Sequence, residues 1–155
     1  MVMVDCVDDA GVYAKYADEL MRFATVLVGP FGAEDLVATV FARALMSPSW
    51  PRIGNRRAYL YRAMTNEARS QYRATQRRLA REIKAGARDV VEPVMADPDV
   101  LAALRRLSVR QRAVIWMAYW RDAAVEEIAR TLGVSTRTVE RDLHQARQQL
   151  ERDLG

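Results

Sequence analysis

The chain has 155 residues, half of them hydrophobic, so it can bury a core as one ordinary domain or two small ones, and global disorder is excluded. Its formal net charge is +4. A single cysteine cannot form an intrachain disulfide, and together with a single histidine it cannot form a zinc site of thiolate and imidazole ligands. No apolar stretch has the length of a membrane span, and the first residues lack the basic start of a signal peptide, so we expect a soluble cytoplasmic protein without a cofactor.

The charges are distributed unevenly along the chain. Residues 1–46 contain three basic and seven acidic side chains, 47–98 contain eleven and five, and 99–155 contain ten and eight. Eight arginines and a single acid lie between Arg56 and Arg81. Such a run is a candidate surface for nucleic acid, and a solvated helix face is the alternative.

Apolar residues recur every three or four positions, and strand patterns are almost absent. A first helix is predicted over 12–28, after which Gly29, Pro30 and Gly32 break it. Its buried face is expected to comprise Tyr16, Leu20, Phe23, Ala24 and Leu27. A second helix is predicted over 33–45, with a buried stripe of Leu36, Val37, Val40, Phe41, Ala44 and Leu45.

Residues 47–55 contain two prolines and a glycine and are predicted to form a loop. A third helix is predicted over 57–78, with arginines outside and an inner face of Leu60, Tyr61, Met64 and Ala68. The apolar pattern then fades, and residues 79–98 have the composition of a linker. We therefore expect an all-α chain of two small helical domains, at 10–78 and 99–155, joined by a flexible linker at 79–98.

Four helices are predicted in the second domain, at 98–107, 108–121, 125–132 and 135–154. Ser108 is a suitable N-cap, and Gln111 lies three residues later, as in a capping box. The core of this domain is expected to contain Leu107, Ile115, Trp116 and Trp120.

The stretch VEEIARTLGVSTRTVERDLHQARQQL, from Val125 onward, has the pattern of a helix-turn-helix, whose second helix enters the major groove of DNA. Gly133 lies where the first helix must end, because glycine takes a left-handed conformation without a Cβ penalty. Ser135 follows as an N-cap. An ordinary antiparallel helix pair with a glycine turn is the alternative. The residues expected to pack the two helices together are Ile128, Ala129, Leu132, Val134, Val139 and Leu143.

Three stretches, in this order, resemble the extracytoplasmic-function (ECF) sigma factors, which direct bacterial RNA polymerase to promoters. They are AEDLVATVFARAL (33–45), RAYLYRAMTNEARSQYR (57–73), and LSVRQRAVIWMAYW running into the helix-turn-helix. The resemblance implies that the first domain is sigma region 2, which binds core polymerase and melts the −10 element. It implies that the second is region 4, which recognises the −35 element. The implied partners are the coiled coil of the polymerase's largest subunit, the flap tip, promoter DNA and an anti-sigma factor, with no membrane insertion.

In that family the AEDLV helix docks on the coiled coil of the polymerase. The implied core-polymerase contacts are therefore Glu34, Asp35, Val37 and Phe41, with Asp35 and Val37 foremost. The apolar members of the helix are alternatively core residues. The chain departs from the family at Ala38 and Thr39, where a glutamine and an acid are usual, so two polar contacts are expected to be missing.

The RAYLYRAMTNEAR helix and the loop before it resemble the segment that opens the −10 element. A separated strand offers unstacked bases to aromatic side chains and phosphates to arginines. Asn66 lies at the family's polar position, suited to bonding a flipped base edge. Tyr59 and Tyr61 are alternatively core residues, and the outer arginines a solvated face. The residues implied in −10 binding are Trp50, Arg52, Arg56, Arg62, Asn66, Arg69 and Arg73.

The residues implied in −35 binding are Ser135, Thr136, Arg137, Thr138, Glu140, Arg141, His144 and Arg147. Arginine pairs with guanine and glutamate accepts from cytosine, whereas the arginines can instead hold phosphates. His144 is interpreted as a phosphate or solvent contact rather than a switch. The family commonly has a basic-Ser-Arg triplet where this chain has Glu140, Arg141 and Asp142, so its promoter preference is expected to be unusual.

Three other classes of protein compete with a sigma factor. A free-standing helix-turn-helix regulator would usually dimerise, and no dimerisation helix is evident. An enzyme is not expected, because one histidine, one cysteine and no Gly-rich phosphate loop provide no catalytic constellation. An RNA-binding adaptor using the arginine-rich helix would leave the helix-turn-helix unexplained. The discriminating observation is whether specific promoter binding requires core polymerase.

Overall fold

The computed structural model describes residues 9–85 and 98–155, and every element within those ranges is helical. A 3-10 turn covers Trp50–Arg52, and a π-helical turn covers Trp116–Trp120. The all-α prediction is confirmed, and each predicted helix is present, while residues 86–97 of the predicted linker lie outside the described part. The α-helices are α1 (Asp9–Val28), α2 (Ala33–Met46), α3 (Arg56–Ala85), α4 (Pro98–Arg106), α5 (Val109–Ile115), α6 (Val125–Leu132) and α7 (Thr136–Leu154).

Helices α1, α2 and α3 form a first body around a shared apolar core. Gly29 ends α1 with φ of +86°, a conformation that glycine adopts freely, and its N–H donates to the carbonyl of Thr25 at 2.8 Å. Leu45, predicted in the buried stripe of α2, is 43% exposed, and the buried stripe ends at Ala44. The predicted core residues that are buried are Leu20, Phe23, Ala24, Leu27, Leu36, Val37, Val40, Phe41, Ala44, Leu60, Tyr61, Met64 and Ala68.

Helix α3 extends seven residues beyond the predicted end at residue 78, to Ala85. The added segment, LAREIKA, contains no glycine or proline and consists of good helix formers. Its apolar periodicity is weak because this end of α3 is mostly exposed, with Arg77, Arg78 and Arg81 all in solvent. Fading periodicity therefore reflects the absence of a packed face here, not the end of the helix.

Helices α4 to α7 form a second body. The predicted capping box is confirmed at α5, where the Ser108 hydroxyl accepts from the Gln111 N–H at 3.1 Å and the Gln111 amide oxygen accepts from the Ser108 N–H at 3.0 Å. Leu107 and Trp116 are buried as expected, but Trp120 is 60% exposed. Trp120 lies one turn after Trp116 and stacks on it, with ring centroids 4.9 Å apart. The Trp116 ring therefore takes the core position, and the Trp120 ring covers it from outside.

The two bodies share one continuous apolar core. Phe23 and Tyr61 of the first body meet Trp116 of the second, with centroid distances from Phe23 of 4.5 Å to Tyr61 and 6.1 Å to Trp116. Met117 and Ile128 extend the same cluster into the second body. The predicted organisation into two small helical domains therefore takes the form of two packed bodies.

Membrane-spanning segments were expected to be absent from this chain. Among the described residues, α1 and α2 together meet the length and composition test for a span, but they are bent by 119°. No single helix in the described ranges meets that test.

Candidate nucleic-acid and polymerase interfaces

The helix-turn-helix is formed by α6 and α7 as the sequence predicts. Gly133 has φ of +70° at the end of α6, and the Ser135 hydroxyl accepts the N–H of Thr138 at 3.1 Å at the start of α7. Ile128, Ala129, Leu132, Val139 and Leu143 are buried between the helices and the rest of the body, and Val134 is partly buried. These local signals fix where α7 begins and which of its faces remains free.

The free face of α7 carries the residues predicted to contact the −35 element. Seven of the eight are exposed, and Thr138 is half-buried, with its hydroxyl 2.9 Å from that of Ser135. A row of polar and basic side chains at the start of a capped helix is what major-groove recognition requires. The exposed residues are Ser135, Thr136, Arg137, Glu140, Arg141, His144 and Arg147.

Asp142, the second acid of the unusual triplet, does not belong to the free face. Its side chain is 4% exposed and accepts from Arg110 Nε of α5 at 2.6 Å. The negative charge is therefore neutralised inside the second body, and only Glu140 remains on the free face as an acid facing a polyanion. Sequence spacing alone did not reveal this pair, because 32 residues separate its members.

Tyr119 is a neighbour of the −35 surface that sequence reasoning missed. It is exposed, its hydroxyl accepts a hydrogen bond from Arg147 Nε, and the Arg147 guanidinium lies 5.4 Å from its ring centroid. The tyrosine comes from the π-helical turn, whose wider pitch redirects side chains. It holds Arg147 in one orientation on the side of α7.

The loop before α3 forms a basic cleft of about 640 Å³ with the start of α1. Trp50 is 3% exposed and supports the cleft from below, with its ring centroid 5.9 Å from that of Tyr59 and 4.8 Å from the Arg56 guanidinium. Nε and Nη1 of Arg56 are buried and have no hydrogen-bond partner within the described residues. Lys15 and Arg52 line the same cleft. Unsatisfied donors surrounded by positive charge favour an anionic or hydrogen-bond-accepting guest.

The remaining residues predicted at the −10 element lie along α3. Arg62, Asn66 and Arg73 are exposed, and Arg69 is half-buried. Arg62 and Asn66 are one helical turn apart and so share a face. Asn55, which the predictions did not include, accepts the N–H of Ala58 at 3.0 Å through its side chain and thereby fixes the start of α3 beside the cleft.

Arg62 also touches the second body. A Cβ placed on Gly133 would lie 2.8 Å from Arg62 Nη2 and 2.9 Å from its Cζ. While Arg62 stays in place, no side chain therefore fits at this position of the turn. The contact brings a predicted −10 residue against the turn that precedes the predicted −35 helix.

The predicted polymerase-binding residues on α2 divide into two groups. Glu34 and Asp35 are exposed in the first turn, where acids also interact favourably with the helix dipole. Val37 and Phe41 are buried, and the Phe41 ring packs edge-on against that of Tyr13 at 5.0 Å. Both apolar residues are thus mainly core, the alternative that the sequence left open.

Ala38, the first departure from the family pattern, lies on the exposed face of α2. It follows Glu34 by one turn and so continues the same face. Thr39 is half-buried. The missing glutamine and acid would have extended the polar face that begins at Glu34, so this face is shorter than the family pattern implies.

Comparison with known proteins gives the family. The profile described as Sigma-70 region 2 matches residues 12–78, and that described as Sigma-70, region 4 matches residues 99–150. RNA polymerase sigma-E factor of Streptomyces coelicolor is 34% identical over 146 residues, covering 88% of this chain and 80% of that protein. The chain is an ECF RNA polymerase sigma factor.

Two further relatives agree with this assignment. The ECF RNA polymerase sigma factor SigL of Mycobacterium tuberculosis is 29% identical over 150 residues, covering 87% of the chain and 82% of that protein. The sigma factor RpoE of Bartonella quintana, solved in complex with the anti-sigma factor NepR, has the same fold, with a TM-score of 0.74 at 24% identity over 96% of this chain and 97% of that one.

As a sigma factor, the protein directs promoter-specific initiation of transcription by RNA polymerase. The free-standing regulator, which was the leading alternative, is not favoured, because the matches cover both halves of the chain and not only the helix-turn-helix. Among the described residues no cluster of three or more histidine, cysteine or acidic side chains could hold a metal ion.

Proposed function

We propose that this sigma factor uses one surface for the coiled coil of core polymerase and one for each promoter element. The observation that carries the proposal is the row of exposed polar and basic side chains on α7, which begins at a capped turn and has the inward acid Asp142 neutralised by Arg110. A surface of this kind fits the major groove of the −35 element. The domain limits proposed from the sequence are 10–78 for region 2 and 99–155 for region 4.

The first surface is the acidic face of α2, which we assign to the coiled coil of the polymerase's largest subunit. Glu34 and Asp35 supply exposed charge, while Val37 and Phe41 support the helix from inside. Part of the second body would contact the flap tip. An anti-sigma factor is a further partner, and it would act where the polymerase does, in the cytoplasm.

The second surface is the basic cleft with the adjoining face of α3, which we assign to the melted −10 element. Arg56 and Arg52 line the cleft and give it positive charge, and Nε and Nη1 of Arg56 are buried without a hydrogen-bond partner among the described residues. Such a cleft suits an unstacked base with its phosphate. Asn66, Arg62, Arg69 and Arg73 would follow the strand along the helix. Trp50, being buried, supports Arg56 and does not stack on a base in this arrangement.

The third surface is the start of α7. Arg137, Arg141 and Arg147 are placed for guanine edges or phosphates, and Glu140 for a cytosine amino group. Since Asp142 is internal, the triplet presents one acid and one base to DNA. We therefore propose that Glu140 and Arg141 give this protein its own −35 preference.

In vitro transcription tests the proposal as a whole. Purified chain and core polymerase are incubated with a library of genomic fragments from the same organism, and transcript start sites are mapped. We expect a defined set of starts that requires both proteins. If the chain instead binds specific duplex sites without polymerase and adds no start sites to it, it is a free-standing regulator.

Asp35→Arg tests the polymerase surface. Reversal of an exposed charge at the centre of the acidic face should abolish co-purification with core polymerase, because like charges then meet at the contact. Glu126→Arg is the matched control, since Glu126 is an exposed acid in the first turn of α6, away from this face. Core binding retained by Asp35→Arg, or lost equally by both variants, would contradict the assignment to α2.

A further inference from the structure

A second basic cleft, which we call the arginine cleft, lies where α3 faces the end of α4 and the start of α5. It has a volume of about 460 Å³, within the range of about 300–1,000 Å³ that is usual for pockets that hold small molecules. Among the described residues that line it, five are arginines and none is acidic. They are Arg69 and Arg73 of α3, Arg105 and Arg106 of α4, and Arg110 of α5.

Helical periodicity brings the α3 arginines to one wall of the cleft. Arg69 and Arg73 are one turn apart and share a face, and the Tyr72 ring lines the same cleft and is 48% exposed. On the opposite wall, Arg105 and Arg106 occupy the last turn of α4, where cations interact favourably with the helix dipole. The dipole explains basic residues at that helix end, but it does not explain the arginines that face them from α3.

Acidic side chains balance part of this charge from behind the wall. Arg106 pairs with Asp153 at 2.7 Å, and Arg110 pairs with Asp142 at 2.6 Å. Both acids belong to α7, and neither lines the cleft. The surface of the cleft therefore keeps an excess of positive charge.

Arg112 adds a further charge next to the cleft. It is buried and donates to three backbone carbonyls, those of Leu27, Leu104 and Arg105, which are neutral acceptors. Burial lowers the pKa of its guanidinium, which Tyr72 raises and the charge of Arg105 lowers further, so both side chains lie close enough to act on it. Guanidinium groups thus repel one another in partly buried surroundings, and an anion in the cleft would relieve that repulsion.

The side chains of the cleft match the chemistry of a nucleotide. A guanidinium is planar and binds phosphate oxygens through paired N–H groups, and adjacent phosphates place several negative charges within a short distance. The exposed face of an aromatic ring accepts a stacked base of any sequence. The arginine cleft provides both features side by side.

We propose that the arginine cleft binds a nucleoside polyphosphate, with its phosphates among the five arginines and its base on the Tyr72 ring. The bound nucleotide would contact both bodies and stabilise the folded chain, since a ligand that binds only the folded state raises its stability. Arg69 and Arg73 are also assigned to the −10 strand, so nucleotide and strand would compete for them. That competition rests on the proposed function, whereas binding of a nucleotide to the free chain does not.

Calorimetric titration of the full chain with ATP tests the proposal, with inorganic triphosphate as the comparison ligand. Both titrations contain a chelator, so that Mg²⁺ does not compete with the arginines for the phosphates. We expect saturable binding of both ligands and an affinity for ATP about tenfold higher, because a stacked base adds to the affinity. The melting temperature should rise with ATP concentration. Absence of saturable ATP binding, or equal affinity for the two ligands, would overturn the proposal.

Arg73→Gln and Arg105→Gln remove one charge from each wall, and Arg81→Gln is the matched control. Arg81 is exposed and lies two turns beyond Arg73 on the same helix, outside the cleft. Each wall variant should weaken ATP binding by about tenfold or more, because it removes a charged hydrogen bond, and the control should stay near the wild-type value. Thermal unfolding verifies that each variant is folded. Equal weakening by all three folded variants would indicate attraction to net charge alone and would overturn the proposal.

Tyr72→Ala separates base stacking from phosphate binding. It should lower the affinity for ATP to that for inorganic triphosphate and leave the affinity for triphosphate unchanged, and an undiminished preference for ATP would contradict the role of Tyr72.

Short single-stranded DNA is the final competitor. If it displaces ATP more effectively than inorganic triphosphate does at equal phosphate concentration, the cleft belongs to a nucleic-acid strand and the proposal is overturned. A chain that binds ATP as expected but never joins core polymerase would contradict the proposed function alone.

Discussion

Replacement of Gly133 by alanine measures how strongly the helix-turn-helix depends on backbone conformation. Gly133 has φ of +70°, and an L-residue in this left-handed region costs about 1–2 kcal/mol. The new Cβ would also meet Arg62 Nη2 at 2.8 Å, but those atoms end a flexible side chain that can withdraw. We therefore expect the free energy of unfolding to fall by about 1–2 kcal/mol, which lowers the melting temperature by about 2–8 °C in a chain of this size.

Urea unfolding followed by far-ultraviolet circular dichroism provides the measurement. Gly54→Ala is the matched control, because no atom lies within 4 Å of its added Cβ and its φ is not in the left-handed region, so it should stay within about 0.5 kcal/mol of wild type. The same Gly133→Ala change in an Arg62→Ala background should cost as much as it does alone. If Gly133→Ala is as stable as the control, the backbone argument is refuted. If Arg62→Ala restores most of the loss, the contact and not φ sets the cost.

Three further changes address the promoter surfaces. Asp142→Asn should lower the free energy of unfolding by about 1.5–3 kcal/mol, because it weakens a charged hydrogen bond to Arg110, while exposed Asp18→Asn should have little effect in the same urea titration. Arg141→Ala should weaken recognition by about 1–3 kcal/mol at promoters whose −35 base it reads, measured by transcription from a panel of promoters, and an equal loss at all of them would indicate a phosphate contact. Asn66→Ala should leave promoter binding of the holoenzyme intact but reduce permanganate reactivity of thymines near the start site, and unchanged reactivity would contradict its role in melting.

The local parts of the fold could be predicted because their causes are local. Gly133 and Ser135 define a turn through backbone freedom and one hydrogen bond, and Ser108 with Gln111 does the same for α5. The exposed face of α7 follows from helical periodicity once its start is fixed. Most of the candidate −35 surface could therefore be predicted from the sequence.

The parts that could not be predicted depend on contacts between distant residues. Asp142 was grouped with Glu140 and Arg141 in the triplet expected to make promoter preference unusual, but it is buried against Arg110, 32 positions away, and nothing local indicates the pair. Trp120 was expected in the core because a large aromatic ring usually is buried, yet a π-helical turn places it over Trp116. Trp50 was expected at the DNA surface, but the loop folds so that Arg56 covers its ring. Tertiary packing determines each of these outcomes, and the apolar periodicity of the sequence carries no information about it.

Arg112 of α5 is buried and donates through Nη1 to the carbonyl of Leu27 at the end of α1. This bond has a consequence for exchanging domains between related proteins. The acceptor is a main-chain oxygen at the end of α1, which belongs to the other body. No side-chain substitution on the first body can create or remove that acceptor. A chimera that joins this region 4 to the region 2 of another protein would contain the buried Arg112, whose acceptor depends on where α1 ends. Where that ending is shifted by even one residue, the guanidinium would face a gap. Successful hybrids should therefore be those that take α1 and α5 from the same parent.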